Sequence, residues 1–163
     1  MATEDIRYEG RSDRLGQMIT AVVVDGPSGK EFRLPTDLEN EVSKFDEASI
    51  QAAFEAVPFG VPSESLPPKE APGIRMPLYG FDQWRKLFTD RQLVALASLV
   101  SQTREFLKTN DYDDLLWVEA VFAYLACGLS RLLDFANTSV QWKTDVPTIN
   151  HSFARFALPI VWD

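Results

Sequence analysis

The sequence has one cysteine and one histidine in 163 residues, and each scarcity closes off chemistry. A single thiol, Cys127, makes neither an internal disulfide nor a Cys-based zinc site. It stands in the apolar run A-Y-L-A-C-G-L, where a small buried hydrophobe is expected. A single imidazole, His151, excludes a His-rich metal site and leaves any nucleophile-base pair one base to use. Ser139 and Ser152 lack the G-x-S-x-G surroundings of a nucleophile elbow, so His151 reads as an exposed or capping residue near a helix start. Neither G-x-G-x-x-G nor G-x-x-x-x-G-K-S/T occurs, so nucleotide binding through those loops is unsupported. The opening M-A-T-E-D-I-R lacks the basic start and apolar run of a secretion signal. The longest uncharged apolar stretch, residues 120–130, falls short of the roughly 20 residues that span a bilayer. A cytoplasmic protein without membrane association is the expectation.

What is present favours an ordered, largely helical chain. Hydrophobic residues make up 45% and aromatics 12% of the sequence, enough to build a core. The net charge of -8 is uneven. Residues 1–70 carry 14 acidic and 7 basic side chains, and residues 71–163 carry 10 and 9. The acidic excess disfavours strong non-specific nucleic-acid binding, and only the nearly neutral second half has room for a local basic patch.

The chain is expected to divide into an acidic front section with a β-hairpin and amphipathic helix (1–57), a Pro-rich connector (58–80) and a helical section truncated at its C-terminus (81–163). After a charged lead-in of about fifteen residues, M-I-T-A-V-V-V and K-E-F-R-L flank the turn signal D-G-P-S-G, which predicts a β-hairpin. Two strands alone are marginal in water, so the hairpin should lean on another element. Thr36 and Glu39 have capping-box spacing, and the segment to Ala56 reads as one or two amphipathic helices. Five of the ten prolines fall between Pro58 and Pro72, which predicts an extended connector.

Residues 82–87 read as a short helix. Thr89 and Gln92 make a second capping box, and Phe88 is placed to staple onto Leu93. A helix with Leu93, Leu96, Ala97, Val100 and Leu107 on one face follows. Asp111, Asp113 and Asp114 then precede a segment in which Leu115, Val118, Phe122, Leu125, Leu129 and Leu132 recur in steps of 3 and 4. The acids suit the positive end of a helix dipole rather than a metal, since no further ligands have suitable spacing. Apolar residues also cover the rest of that helix, which predicts a central helix enclosed by others. The stretch I-N-H-S-F-A-R-F-A-L reads as a final helix, and Pro159 can kink it. The fold class is therefore mainly α (α+β), a helical bundle around a central apolar helix with a small N-terminal hairpin.

One polar set stands out near the end of the apolar helix. Arg131, Asp134 and Asn137 recur every three residues, and Trp142, Lys143, His151 and Arg155 follow. Two readings are open: an internal ion pair beside a packed Trp, or a polar groove for a partner or nucleic acid.

At these residues the sequence resembles a known family. The blocks G-I-R-M-P-L-Y-G-F-D-Q-W-R-K-L-F-T-D-R-Q-L-V-A-L, A-Y-L-A-C-G-L-S-R-L-L-D-F-A-N, Q-W-K-T and S-F-A-R-F-A-L-P-I-V-W-D carry the resemblance. With the earlier G-K-E-F-R-L-P-T and P-F-G-V-P it spans about residues 16–163. The family comprises large prokaryotic adenine-specific DNA methylases with a zinc-ribbon insertion and an N-terminal domain of unknown function. In it, the S-adenosylmethionine loop, the zinc-ribbon cysteines and the Pro-Pro-aromatic catalytic motif lie in other segments. The only Pro-Pro pair here, Pro67 and Pro68, is followed by Lys. The resemblance thus implies no catalytic, cofactor-binding or metal residue in this chain, and S-adenosylmethionine for the parent enzyme only. It implies an internal segment that braces the methylase core, in a DNA-modification or restriction-modification setting. Arg131, Asn137, Trp142, Lys143 and Arg155 are the candidate contacts to DNA or a partner. The expected partners are the rest of the methylase chain and, through it, DNA, with a protein-interaction scaffold as the alternative role. The apolar ending R-F-A-L-P-I-V-W-D predicts a truncated element and self-association through it.

Overall fold

The computed structural model describes residues 3–68, 75–109, 114–143, 145–146 and 148–152. Among them are five α-helices: α1 (Thr3–Arg11), α2 (Asp37–Val42), α3 (Glu47–Phe54), α4 (Asp90–Thr109) and α5 (Leu115–Phe135). Two antiparallel pairs complete the elements, β1 (Val22–Gly26) with β2 (Gly29–Arg33), and β3 (Trp142–Lys143) with β4 (Thr148–Ile149). The fold is mainly α with a small N-terminal hairpin, as the patterning implies.

Side chains that satisfy free backbone donors set the helix starts. The Thr36 hydroxyl accepts from the Glu39 N–H, and the Glu39 carboxylate accepts from the Thr36 N–H at 2.8 Å. Asp46 caps α3 by accepting from the Ser49 N–H at 2.8 Å. Thr89 and Gln92 exchange the same reciprocal bonds at the head of α4, at 2.9 and 3.4 Å. Asp114 caps α5 by accepting from the Leu116 and Trp117 N–H groups. Each such cap contributes about 1 kcal/mol. Asp111, Asp113 and the Leu107 side chain lie outside the described residues.

The core forms where α3 crosses α4. Ile50, Phe54, Leu93 and Ala97 are buried together, with Ala53, Val57, Val61, Phe88 and Val94 packed around them. Phe88 thus joins the cluster that holds Leu93, as the staple pattern implies. The core draws equally on the front and back sections, and Arg85 clamps Glu47 with two bonds of 3.0 and 2.7 Å. That clamp holds the Glu47 carboxyl at about 2, below its ordinary 4.5.

Several elements differ from the sequence reading. The charged lead-in forms α1, which docks on the 3-10 turn at Met76–Tyr79. Gly10 and Gly80 make that approach possible. A Cβ on either would collide with the other segment's backbone, and Gly80 also has φ +84. Residues 62–66 of the Pro-rich connector do not hang free. They pair with residues 82–85 through Leu66 N–H to Asp82 O (2.8 Å), Trp84 N–H to Glu64 O (3.1 Å) and Arg85 N–H to Pro62 O (2.8 Å). Those bonds take the backbone groups an α-helix over 82–87 would need, so only a 3-10 turn at Trp84–Leu87 forms.

The largest departure concerns α5. It is not enclosed: Leu115, Leu116 and Tyr124 are 78%, 77% and 81% exposed. Of its residues only Asp134 is buried. α4 covers one side, and Val118, Val121, Leu129, Leu133 and Phe135 are half-buried, while most of the remaining circumference is exposed. Cys127, expected inside, is exposed as a result. At 21 residues with mean hydropathy 1.5, α5 is long and apolar enough to cross a membrane by length and composition. It is longer than the uncharged stretch 120–130 alone indicates.

The final helix does not begin at Ile149. Thr148–Ile149 pairs with Trp142–Lys143, and the Asn150 and Ser152 N–H groups bond across the chain to Gln141 O and Asp134 O. The ending, residues 153–163, lies outside the described residues.

Candidate functional site

The polar set converges at the C-terminal end of α5, where that helix, the turn after it and the segment behind β4 meet. Asp134 is its hub. Helical spacing brings Arg131 one turn before it, with Nη1 3.3 Å from Oδ2. The chain then loops through β3 and β4 and returns His151 and Ser152 to the same carboxylate. His151 Nδ1 lies 2.6 Å from Oδ2. The Ser152 N–H and hydroxyl donate to Oδ1 at 3.1 and 3.3 Å. Asp134 is 8% exposed, and a carboxylate removed from water needs this kind of donor set.

Asn137 extends the network inward. Its Nδ2 donates to Leu133 O (2.7 Å) and Ser152 Oγ (2.8 Å), while its Oδ1 accepts from the Ser139 N–H at 2.8 Å. At 5% exposure it is buried, with its amide engaged by its own chain. Thr138 ties this turn to the 3-10 turn at Trp84–Leu87, donating its N–H and hydroxyl to Leu87 O at 2.8 and 2.9 Å. Phe135 sits between the two bases, with the Arg131 guanidinium 4.7 Å from its ring and the His151 ring at 4.9 Å.

This arrangement orients an imidazole without giving it a nucleophile. Nδ1 faces the carboxylate, which directs Nε2 away from it. The Ser152 hydroxyl engages Asp134 and Asn137, and the Ser139 hydroxyl lies 3.9 Å from Met76 Sδ. Neither is aligned as an attacking group on His151. Among the described residues no group of three His, Cys, Asp or Glu is placed to hold a metal ion.

The remaining sequence candidates are more open. The Arg131 side chain is 61% exposed. Trp142 is 36% exposed, and Lys143 beside it is exposed. Arg155 lies outside the described residues. Two partners of Trp142 were not legible in the pattern. Phe32 of β2 meets it edge-on at 5.8 Å, and Lys30 lies 5.9 Å from its ring centroid. Their alternate spacing on β2 places both on one face, but only the folded hairpin shows that this face meets β3.

A second concavity, of about 580 Å³, opens where α1, the 3-10 turns and the head of α4 meet, lined by Leu15, Tyr79, Phe81, Arg85, Lys86 and Phe88 among others. Its cations already have partners: Arg85 holds Glu47, and Lys86 holds Asp82 at 3.0 Å. No charge is left aimed at a ligand by either group.

The fold and site define a mainly helical α+β domain whose polar cluster ties its own chain together. Comparison with protein-family models, with curated proteins and with solved structures finds no match to this chain.

Proposed function

We propose that the chain is a non-catalytic domain of a cytoplasmic, S-adenosylmethionine-dependent, adenine-specific DNA methyltransferase, bracing the catalytic core and lending surface to DNA. The resemblance of residues 16–163 to that enzyme family motivates the reading. The observation that carries the bracing role is the Asp134 cluster. Its carboxylate, imidazole, amide and hydroxyl groups are turned on one another, and they fix the end of α5 to the segment behind β4. Methylation of an adenine amine needs the base flipped out and held against the methyl donor. A rigid helical support serves that geometry without touching the reacting atoms.

For DNA contact the supporting surface is Arg131, Trp142 and Lys143. Phosphate neutralisation by such residues makes affinity fall with salt, each contact adding about 0.9 to the slope of log K against log salt. Titration of fluorescent duplex DNA tests this: Lys143→Ala and Arg131→Ala are expected to weaken binding and flatten that slope. Salt-independent or mutation-independent binding would count against DNA contact. Calorimetry with S-adenosylmethionine is expected to show no saturable binding by this chain, and one-to-one binding would overturn the non-catalytic assignment.

A second reading, a protein-interaction scaffold in a DNA-modification or defence complex, is favoured by one observation. The exposed apolar circumference of α5 is larger than a soluble domain ordinarily leaves in water.

A further inference from the structure

The turn that follows α3 holds an aromatic residue in a conformation that nothing in its own chain explains. Among the described residues only Asp13 and Phe59 combine a side chain with a positive φ, at +55 and +66. Aspartate enters the left-handed region readily, whereas a bulky aromatic does so only under strain. Gly60 follows at φ +69, and two consecutive positive φ angles are what Asn-Gly favours. The Phe59 ring gains nothing from packing, because it is fully exposed. A lone exposed apolar residue is ordinary. One that is also held in a backbone conformation its side chain disfavours is not, and such outliers point to function.

The strained tip is firmly held. Val57 and Val61, two residues to either side, pack against the core of Ile50, Phe54, Leu93 and Ala97. The Gly60 N–H donates to Val57 O at 3.2 Å, and the Arg85 N–H donates to Pro62 O at 2.8 Å. The ring of Pro58 fixes its own φ. An aromatic side chain on a turn pinned in this way loses little freedom on capture, which is the property of an interface anchor. The charge around it is of one sign. Residues 45–68 include Asp46, Glu47, Glu55 and Glu64 and no Lys or Arg. Glu47 is held by Arg85, and Glu55 and Glu64 are exposed.

We propose that Phe59 anchors this chain to a protein partner that carries an apolar pocket with a rim of Lys or Arg. The ring fills the pocket, and Glu55 and Glu64 face the rim. A second copy of the chain fits poorly as that partner. Its front section is itself acidic, and the cations at its 580 Å³ concavity, Arg85 and Lys86, are paired with Glu47 and Asp82. A lipid surface would bring two carboxylates against anionic headgroups for the sake of one ring. The proposal rests on neither reading above, since it uses neither the DNA-facing residues nor α5, and its failure leaves both standing.

Photocross-linking of the full chain in the cells that make it tests the proposal, with p-benzoylphenylalanine in place of Phe59 and, as a control, in place of the exposed Val42. A single dominant protein adduct is expected from position 59 and not from 42. Mass spectrometry should map it to an apolar pocket flanked by Lys or Arg. With that partner purified, Phe59→Ala should raise the dissociation constant about 30-fold or more, as loss of an anchor does. Replacing Glu55 and Glu64 together by Gln should raise it about 3-fold and lessen its salt dependence. Urea unfolding of the free chain gives a second readout. Phe59→Asn relieves the strain and uncovers no core, so it should raise the folding equilibrium constant about 3-fold while weakening capture as Phe59→Ala does. No adduct, adducts scattered over many proteins, an adduct to lipid or to a second copy, or a pocket without a basic rim would each overturn the proposal. So would a partner indifferent to Phe59→Ala, or a Phe59→Asn chain less stable than the wild type, which would give the ring a packing role within its own fold.

Discussion

The α3–α4 crossing and α5 are built from similar residues and have opposite fates. Ile50 and Ala97 are each 1% exposed where α3 meets α4, whereas the equally apolar Leu115 and Leu116 stand in water at the head of α5. Periodicity gives α4 one apolar face and α5 apolar residues all round, so the pattern alone asks for more cover on α5, the reverse of what its neighbours supply. α4 has α3 on one side and α5 on another, while α5 has α4 along a single side. An apolar stripe therefore indicates that a helix needs cover, and says nothing about whether its own domain provides it.

The sharpest way to break the comparison is a pair of truncations. Ile50→Ala removes a fully buried side chain from the core cluster and should cost about 2–5 kcal/mol of folding stability. Leu116→Ala deletes a side chain of similar size from an exposed position and should stay within about 0.5 kcal/mol. Urea unfolding of both variants decides it, and equal losses would mean that α5 is covered in the isolated chain.

A smaller effect is expected where the two regions are joined. Asp134→Ala takes the acceptor from His151, Arg131 and Ser152, and hydrogen bonds to a buried charged group contribute about 1.5–3 kcal/mol. The loss should appear as faster amide exchange at Ser152 and the end of α5, with the α3–α4 amides unchanged. Uniform acceleration everywhere would show that the cluster supports the whole fold.

The smallest effect is a pH dependence carried by the front section. Glu47, held by Arg85, and Glu39, held by Arg33 and the Thr36 cap, both sit near about 2, below their ordinary 4.5. Because the folded values are depressed, their stabilising contribution is present above about 4.5 and is lost as pH falls toward 2. Both groups are solvent-exposed, so the slope should be shallow and weaken with added salt. Thermal melts between pH 5 and 2 are expected to show it in the wild type and less of it in Glu47→Gln.

Short-range features were legible because short-range physics decides them. The Thr36–Glu39 and Thr89–Gln92 boxes, the D-G-P-S-G turn and the Arg131–Asp134 pair each involve residues within a few positions of one another. The misread backbone segments each involve a distant partner, and the misread α5 lacks the cover its pattern asks for. Residues 82–87 spend their backbone bonds on residues 62–66, Asn150 and Ser152 spend theirs on Gln141 and Asp134, and α1 owes its docking to Gly80. At the candidate site, spacing identified Arg131, Asp134 and Asn137, but gave no reason to choose between a buried bond network and an open groove. It also gave no sign that Ser152 would join them, or that Phe32 and Lys30 would reach Trp142.

By itself the amino-acid sequence determined where α2, α4 and α5 begin, which residues turn the hairpin and which residues of those helices are apolar, since these follow from bonds and periodicities over a handful of residues. Only the tertiary structure decided which apolar faces are covered, that Asn137 is interior while Arg131 is not, and that His151 returns to Asp134. Those outcomes depend on which distant segments come within contact distance, and contact energies act over a few ångströms in space whatever the separation along the chain.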